Sequence, residues 1–132
     1  MIKDYHYLTR VRYADIDQMG IVYYSRYFEF FEAARTDMLR DMGLPYSKFE
    51  ETGYFLPVIE SHCEYSQGAQ FDRLIDVKCI IEEIPKVKIK IGYVITDYEN
   101  GTLLVTGYTV HAFLNSEKKP CRAPLEFLKI LK

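Results

Sequence analysis

Residues 25–45, SRYFEFFEAARTDMLRDMGLP, decide how the rest of the chain is read. From Ser25 to Met42 the apolar positions Phe28, Phe31, Ala34, Met38 and Met42 recur at the spacing that lines one face of an α-helix. Tyr27, Phe30 and Leu39 widen that stripe, so the helix is expected to be buried over most of its circumference. The stop signal is equally plain. Gly43 stands just past the last periodic residue, and Pro45 blocks any continuation.

On the C-terminal side, Tyr46 to Glu51 reads as a short second helix ended by Gly53, after which β-branched and aromatic residues take over. Phe55 to Ser66, Leu74 to Ile84, Val87 to Tyr98 and Thr102 to Leu114 are four expected strands. The third alternates as Val87, Ile89, Ile91, Tyr93 and Ile95, which leaves Lys86, Lys88 and Lys90 on its other face. Asn100-Gly101 suits a type I′ hairpin turn, which needs positive φ at both central residues. These strands are expected to form an antiparallel meander, with Leu125 to Leu131 as a closing helix. On the N-terminal side, residues 4–13 read as one more strand. The order strand, long helix, four strands implies an α+β domain in which a five-stranded sheet wraps the helix. No repeat or linker divides the chain, so one domain is expected over residues 1–132.

A chain of 132 residues buries enough surface to fold without disulfide staples. Its three cysteines, Cys63, Cys79 and Cys121, are odd in number and far apart, which favours free thiols in a reducing compartment. The first ten residues, MIKDYHYLTR, lack the apolar segment of a secretory signal, and the expected location is the cytoplasm. No apolar run approaches the roughly 20 residues of a membrane span. A net charge of −2 without a basic block gives nucleic acid no electrostatic footprint, although local lysines can hold a small anion.

Between the first strand and the long helix lies YADIDQMGIVYY, residues 13–24, where Asp15 and Asp17 precede a glycine. A metal clamp needs further oxygen ligands, and neither those nor an EF-hand or Walker glycine pattern accompanies the pair. His6, His62 and His111 show no zinc spacing. His62 and Cys63 are adjacent on a strand and therefore point to opposite faces, so they form no dyad. Two readings of the acids stay open: a cap for the helix's free N–H groups, or a catalytic carboxylate beside them. The second suits acyl transfer. Unpaired amides at a helix start polarise a carbonyl and stabilise the oxyanion, while the carboxylate activates water or attacks directly. Gly20 would let the backbone approach a substrate closely.

The segment YADIDQMGIVYYSRYFEFFEAAR resembles the signature of the 4-hydroxybenzoyl-CoA thioesterase family of hotdog-fold acyl-CoA thioesterases, and EYSQGAQFDRLIDV resembles its second recurring segment. With the Asn-Gly hairpin and the closing KKPCRAP, the resemblance spans nearly the whole chain. It implies a hotdog fold, dimers paired through sheet edges and often tetramers, and active sites at the dimer interface. It implies Asp17 as the catalytic carboxylate, a polarising backbone N–H at Tyr24, and a structural role for Asp15. Gly20, Val22, Tyr13 and Tyr27 are implied to shape the pocket. Other relatives carry a histidine where this chain has Tyr24, so its absence places the chemistry on Asp17 and the helix amides. Gly68 stands where the family commonly has proline, and a looser turn is expected there.

What the resemblance implies is hydrolysis of an acyl-CoA or aroyl-CoA thioester without metal or redox cofactor. Lys88, Lys90 and Arg122, with Lys86, are expected partners for the phosphates of coenzyme A. Two alternatives are a thioesterase acting on acyl carrier protein and a non-catalytic acyl-thioester binding protein.

Overall fold

Helix α1 covers Arg26–Asp41, one residue inside the expected span at each end. Its inward side carries Tyr27, Phe31, Ala34, Met38 and Leu39, all buried, while Glu29, Glu32 and Arg40 keep one stripe in solvent. The end is a Schellman motif: Gly43, at φ 90°, donates to the Arg40 carbonyl at 3.0 Å, and Leu44 donates to the Leu39 carbonyl at 2.9 Å. Leu39 and Leu44 are both buried beside that turn. The computed structural model describes residues 1–131; Lys132, the last position of the expected domain, lies outside the described residues.

Five strands form one antiparallel sheet: β1 (Lys3–Arg10), β2 (Val58–Tyr65), β3 (Leu74–Ile81), β4 (Lys88–Asp97) and β5 (Leu103–Ala112). Two short helices complete the chain, α2 over Tyr46–Glu51 and α3 over Leu125–Ile130. The strands are shorter than the sequence suggests, because residues such as Phe55 and Leu114 pair only as an isolated bridge. Tyr13, expected at the end of the first strand, instead opens a 3-10 turn, Tyr13–Asp15.

The spatial order is β1-β3-β4-β5-β2, so the expected four-strand meander holds only for β3, β4 and β5. β2 crosses to the far side and pairs with β5, Cys63 opposite Gly107. The reason lies in residues 66–73, which are not free to make a hairpin. Val22 donates to the Ala69 carbonyl at 2.9 Å, Ile21 bridges Gln70, and Asp72 donates to the Val11 carbonyl at 2.9 Å. The connection is itself paired to the segment before α1.

The Asn100-Gly101 turn also departs from expectation. Gly101 has φ 75°, but Asn100 is not in the positive-φ region, so the turn is not type I′. Asp97 explains the difference. Its Oδ1 accepts the Glu99 N–H at 3.0 Å and the Asn100 N–H at 3.2 Å, while Gly101 donates to the Asp97 carbonyl at 2.8 Å. A four-residue loop, 98–101, closes around that carboxylate, which Arg73 also grips through Nε at 2.7 Å and Nη2 at 2.8 Å.

The core lies between α1 and the inner face of the sheet. Ile75, Val77, Cys79 and Ile81 from β3 and Ile89, Ile91, Tyr93 and Ile95 from β4 are buried at every second position. Each such side chain contributes about 1.5–3 kcal/mol on burial. Phe31 stacks on Tyr93, with ring centroids 4.2 Å apart and planes 5° from parallel. Gly107 permits that approach, since a Cβ there would stand 2.9 Å from the Phe31 ring and collide with the His62 carbonyl oxygen. A satellite cluster of Phe49, Phe113 and Phe127 holds α2 and α3 to the sheet.

Candidate active site

The two acids of the opening segment have separate environments. Asp15 is buried, at 2% exposure; its Oδ2 accepts the Arg12 N–H at 2.8 Å and its carbonyl accepts the Tyr23 N–H at 2.9 Å. It pins the chain on both sides of the turn. Asp17 is half-buried at the foot of a small hairpin in which Ile16 bridges Val22. Its N–H donates to the Ile21 carbonyl at 2.9 Å, its carbonyl accepts from Gly20 at 3.0 Å, and its Oδ1 accepts from Met19 at 2.8 Å. These bonds fix the carboxylate without capping α1. Oδ2 has no protein partner among the described residues.

Gly20 has φ 80° and open space around the position of a Cβ, so its role in this fold is the left-handed turn itself; it does not line the cleft. That turn brings Asp17 and Val22 to the start of α1. There Tyr23 accepts from the Arg26 N–H at 2.8 Å, while the Tyr24 N–H has no protein acceptor among the described residues. An unpaired amide at the positive end of a sixteen-residue helix is a ready donor for a substrate oxygen.

Asp17, Val22, Tyr24 and Tyr27 line one cleft of about 310 Å³. The opposite wall comes from Tyr65, the last residue of β2, and from Ser66, Gln67 and Gly68 after it. Sequence reading marked this segment as recurring without setting it across from Asp17, because only the pairing of residues 66–73 with Ile21 and Val22 does so. At Gly68 the walls leave no room for a side chain: a Cβ there would stand 2.7 Å from Ile21 Cγ2. The looser turn expected at Gly68 is therefore corrected to a tight contact. Tyr27 is buried, its hydroxyl accepting the Ala69 N–H at 3.3 Å, and burial pushes its phenol up.

Other expected site residues lie elsewhere in the subunit. Tyr13 is 76% exposed, sits outside the cleft and packs edge-on against Phe71. Lys88 and Lys90 project from the outer face of β4 into a separate groove of about 730 Å³ that also holds Lys86, Glu82 and Glu83. Lys90 Nζ stands 4.3 Å over the Tyr108 ring, whose other contacts are His62, stacked at 5.2 Å, and Glu60, which accepts the Tyr108 hydroxyl at 2.6 Å. Arg122 is exposed and lines neither space; Ala123 next to it donates to the Lys86 carbonyl at 2.6 Å. Among the described residues no three His, Cys, Asp or Glu side chains converge as a metal site, and no helix is long and apolar enough to cross a membrane.

The sequence of residues 11–131 matches the family described as the thioesterase-like superfamily. A hypothetical protein from Aquifex aeolicus superposes with a TM-score of 0.91 at 30% identity, covering 97% of this chain and 99% of its own. The acyl-CoA thioester hydrolase YbgC of Escherichia coli O6:H1 is 30% identical over 96 residues, 73% of this chain and 71% of that protein. The DHNA-CoA thioesterase of Staphylococcus aureus superposes with a TM-score of 0.88 at 26% identity, covering 96% of this chain and 87% of that one.

Proposed function

The chain belongs to the thioesterase-like superfamily, and from that premise we propose that it is an acyl-CoA thioesterase that hydrolyses an acyl-CoA or aroyl-CoA thioester to the free acid and coenzyme A. The observation that carries this reading is that one cleft is lined by both Asp17 and Tyr24, the latter with an unpaired N–H just before α1. The thioester carbonyl accepts from the Tyr24 amide. Asp17 removes a proton from water as the oxygen bonds to the carbonyl carbon, or attacks that carbon itself to form an anhydride that water then opens. In either course the C–S bond breaks and the coenzyme leaves as thiol or thiolate. By the direct course the acid carries one oxygen from water; by the anhydride course, opened by water at the Asp17 carboxyl carbon, the acid carries an Asp17 oxygen while the water oxygen stays in Asp17. A polarising donor of this kind contributes about 10²–10³ in kcat, and a general base about 10²–10⁴.

The whole chain is read as one hotdog domain, its sheet wrapped around α1, acting in the cytoplasm as a homodimer or a homotetramer built from two dimers. The long unpaired edge of β2, with Val58 and Ile59 about half exposed, supports pairing with a second copy. Lys88, Lys90 and Arg122 would meet the coenzyme phosphates across that interface, with Val22 and Tyr27 around the acyl group. Separation of Lys88 and Lys90 from the Asp17 cleft within one subunit favours a second reading, an acyl carrier protein thioester as substrate, which has no adenosine end.

A panel of acyl-CoA and aroyl-CoA thioesters, assayed with wild type and Asp17→Asn, tests the proposal. The variant is expected to lose about 10²–10⁴ in kcat. Wild-type-like turnover in Asp17→Asn removes the catalytic assignment, and no turnover by wild type leaves an acyl carrier protein thioesterase or a binding protein. Substitution of Lys88, Lys90 and Arg122 raises KM for coenzyme A substrates alone if the phosphates bind there. Single-turnover hydrolysis in ¹⁸O-water, followed by mass analysis of the protein, separates base from nucleophile: label in Asp17 marks the anhydride.

A further inference from the structure

We infer that Tyr65 is a positioning residue for this hydrolysis, its hydroxyl fixing the peptide after Tyr24 so that the Tyr24 N–H stays aimed into the cleft. The inference rests on the reading of that N–H as the carbonyl-polarising donor. Two peptide planes meet at Tyr24, and each is planar and rigid. The plane before it carries the Tyr24 N–H and the Tyr23 carbonyl, held by the Arg26 N–H at 2.8 Å; Tyr23's own N–H is tied to the Asp15 carbonyl at 2.9 Å. The plane after it presents the Tyr24 carbonyl to the Tyr65 hydroxyl, which donates at 3.2 Å from a strand 41 residues away.

Tyr65 is itself well held. Its ring packs against Tyr27 at 5.6 Å and meets Tyr24 edge-on at 6.4 Å, and Tyr27 is 2% exposed and anchored through Ala69. The phenol is pushed up to about 12 by desolvation and by the neighbouring Cys63, so it remains a donor at any pH suited to an assay. The cleft thus has a strut from β2 to Tyr24, two residues before α1. Without the hydroxyl, the second plane loses its tie to β2 and is held only through Ser25, whose carbonyl accepts the Phe28 N–H at 3.3 Å, and the Tyr24 N–H spends less time on the line to a bound carbonyl.

The test compares wild type, Tyr65→Phe and Tyr65→Leu of the full chain on benzoyl-CoA and a medium-chain acyl-CoA, with kcat and KM resolved. Tyr65→Phe is expected to lower kcat about tenfold with KM within about twofold, and Tyr65→Leu to lower it further. In an Asp17→Asn background, which holds substrate without turnover, the infrared carbonyl band of bound benzoyl-CoA should shift back toward its solution frequency when Tyr65 becomes Phe. An unchanged kcat in Tyr65→Phe, an unmoved carbonyl band, or a loss shared equally by KM and thermal stability overturns the positioning role. Failure of the Asp17 reading has a different signature: Asp17→Asn turns over like wild type while Tyr65→Phe remains slow, and the carbonyl band is then read before turnover. Wild-type inactivity on every thioester removes both readings together.

Discussion

Gly68 and Ile21 meet across the cleft at a distance no other residue at 68 would tolerate, a Cβ standing 2.7–2.9 Å from three Ile21 side-chain carbons. One of the three is the Ile21 Cβ, so rotation of the isoleucine cannot clear the space. Gly68→Ala is expected to destabilise the protein by about 1–3 kcal/mol through overpacking. Truncation of Ile21 to Ala in the same chain removes Cγ2 and Cδ1 but keeps the Cβ, and should recover part of that loss. Urea unfolding of the two single variants and the double variant gives the coupling, expected at about 0.5–3 kcal/mol. Simple additivity of the two changes would remove the close approach as the reason for glycine.

His111 sets a pH dependence of stability. Its Nδ1 faces the Leu56 carbonyl at 3.1 Å, which accepts only, so Nδ1 carries the proton and Nε2 accepts the Thr109 hydroxyl at 2.8 Å. Thr109 in turn accepts from the Tyr93 hydroxyl at 2.7 Å. This directed chain needs a neutral imidazole, and burial, opposed by the Leu56 carbonyl and reinforced by the Arg35 charge, pushes His111 down to about 4. Below the ordinary histidine pKa of about 6.5 the unfolded chain takes up a proton that the folded chain refuses. Stability therefore falls as pH drops from about 6.5 to about 4, by about 3 kcal/mol from this residue. The difference in unfolding free energy between wild type and His111→Gln, measured across that window, should narrow steadily with acidification; a constant difference would contradict it.

Asp97 acts with the same direction over a lower range. Arg73 holds its carboxyl below the usual carboxylate value, with the Asn100 and Glu99 amides adding to the effect and burial opposing it. A depressed folded pKa gives stability that is present above the unfolded carboxylate pKa and is lost as pH falls through the folded one. Asp97→Asn is expected to lower the melting temperature by a few degrees at neutral pH. The gap should close in acid, below the carboxylate range. Equal gaps at both ends of a thermal-denaturation series would mean that the ion pair with Arg73 carries no stability.

Local signals carried much of the fold. Phe28 to Met42 and the Gly43-Leu44-Pro45 stop are readable because a helix and its Schellman end depend on residues within a few positions of one another. Alternation made β4 legible for the same reason. The place of β2 was not legible, since it depends on Val22 and Asp72 meeting partners some sixty residues apart along the chain at most. Asn100-Gly101 misleads because the Asp97 side chain, three residues upstream, takes the amides that a type I′ turn would orient otherwise. At the site, Asp17 and Tyr24 share a segment and could be picked out together. Tyr65 and Gly68 complete the cleft only through tertiary pairing, and Lys88 and Lys90 lie on the opposite face of the sheet from the buried core.

Residues 66–73 answer to two constraints at once, since the connection that routes β2 to the sheet's margin also builds, through Ser66, Gln67 and Gly68, the wall facing Asp17. Strand order and cleft width are therefore not independent variables in this chain. An inserted residue there would widen the cleft and loosen the hold on the marginal strand in one step, so changes of substrate size are more freely accommodated on the facing wall, at Tyr24, whose ring is exposed and lies ahead of the helix.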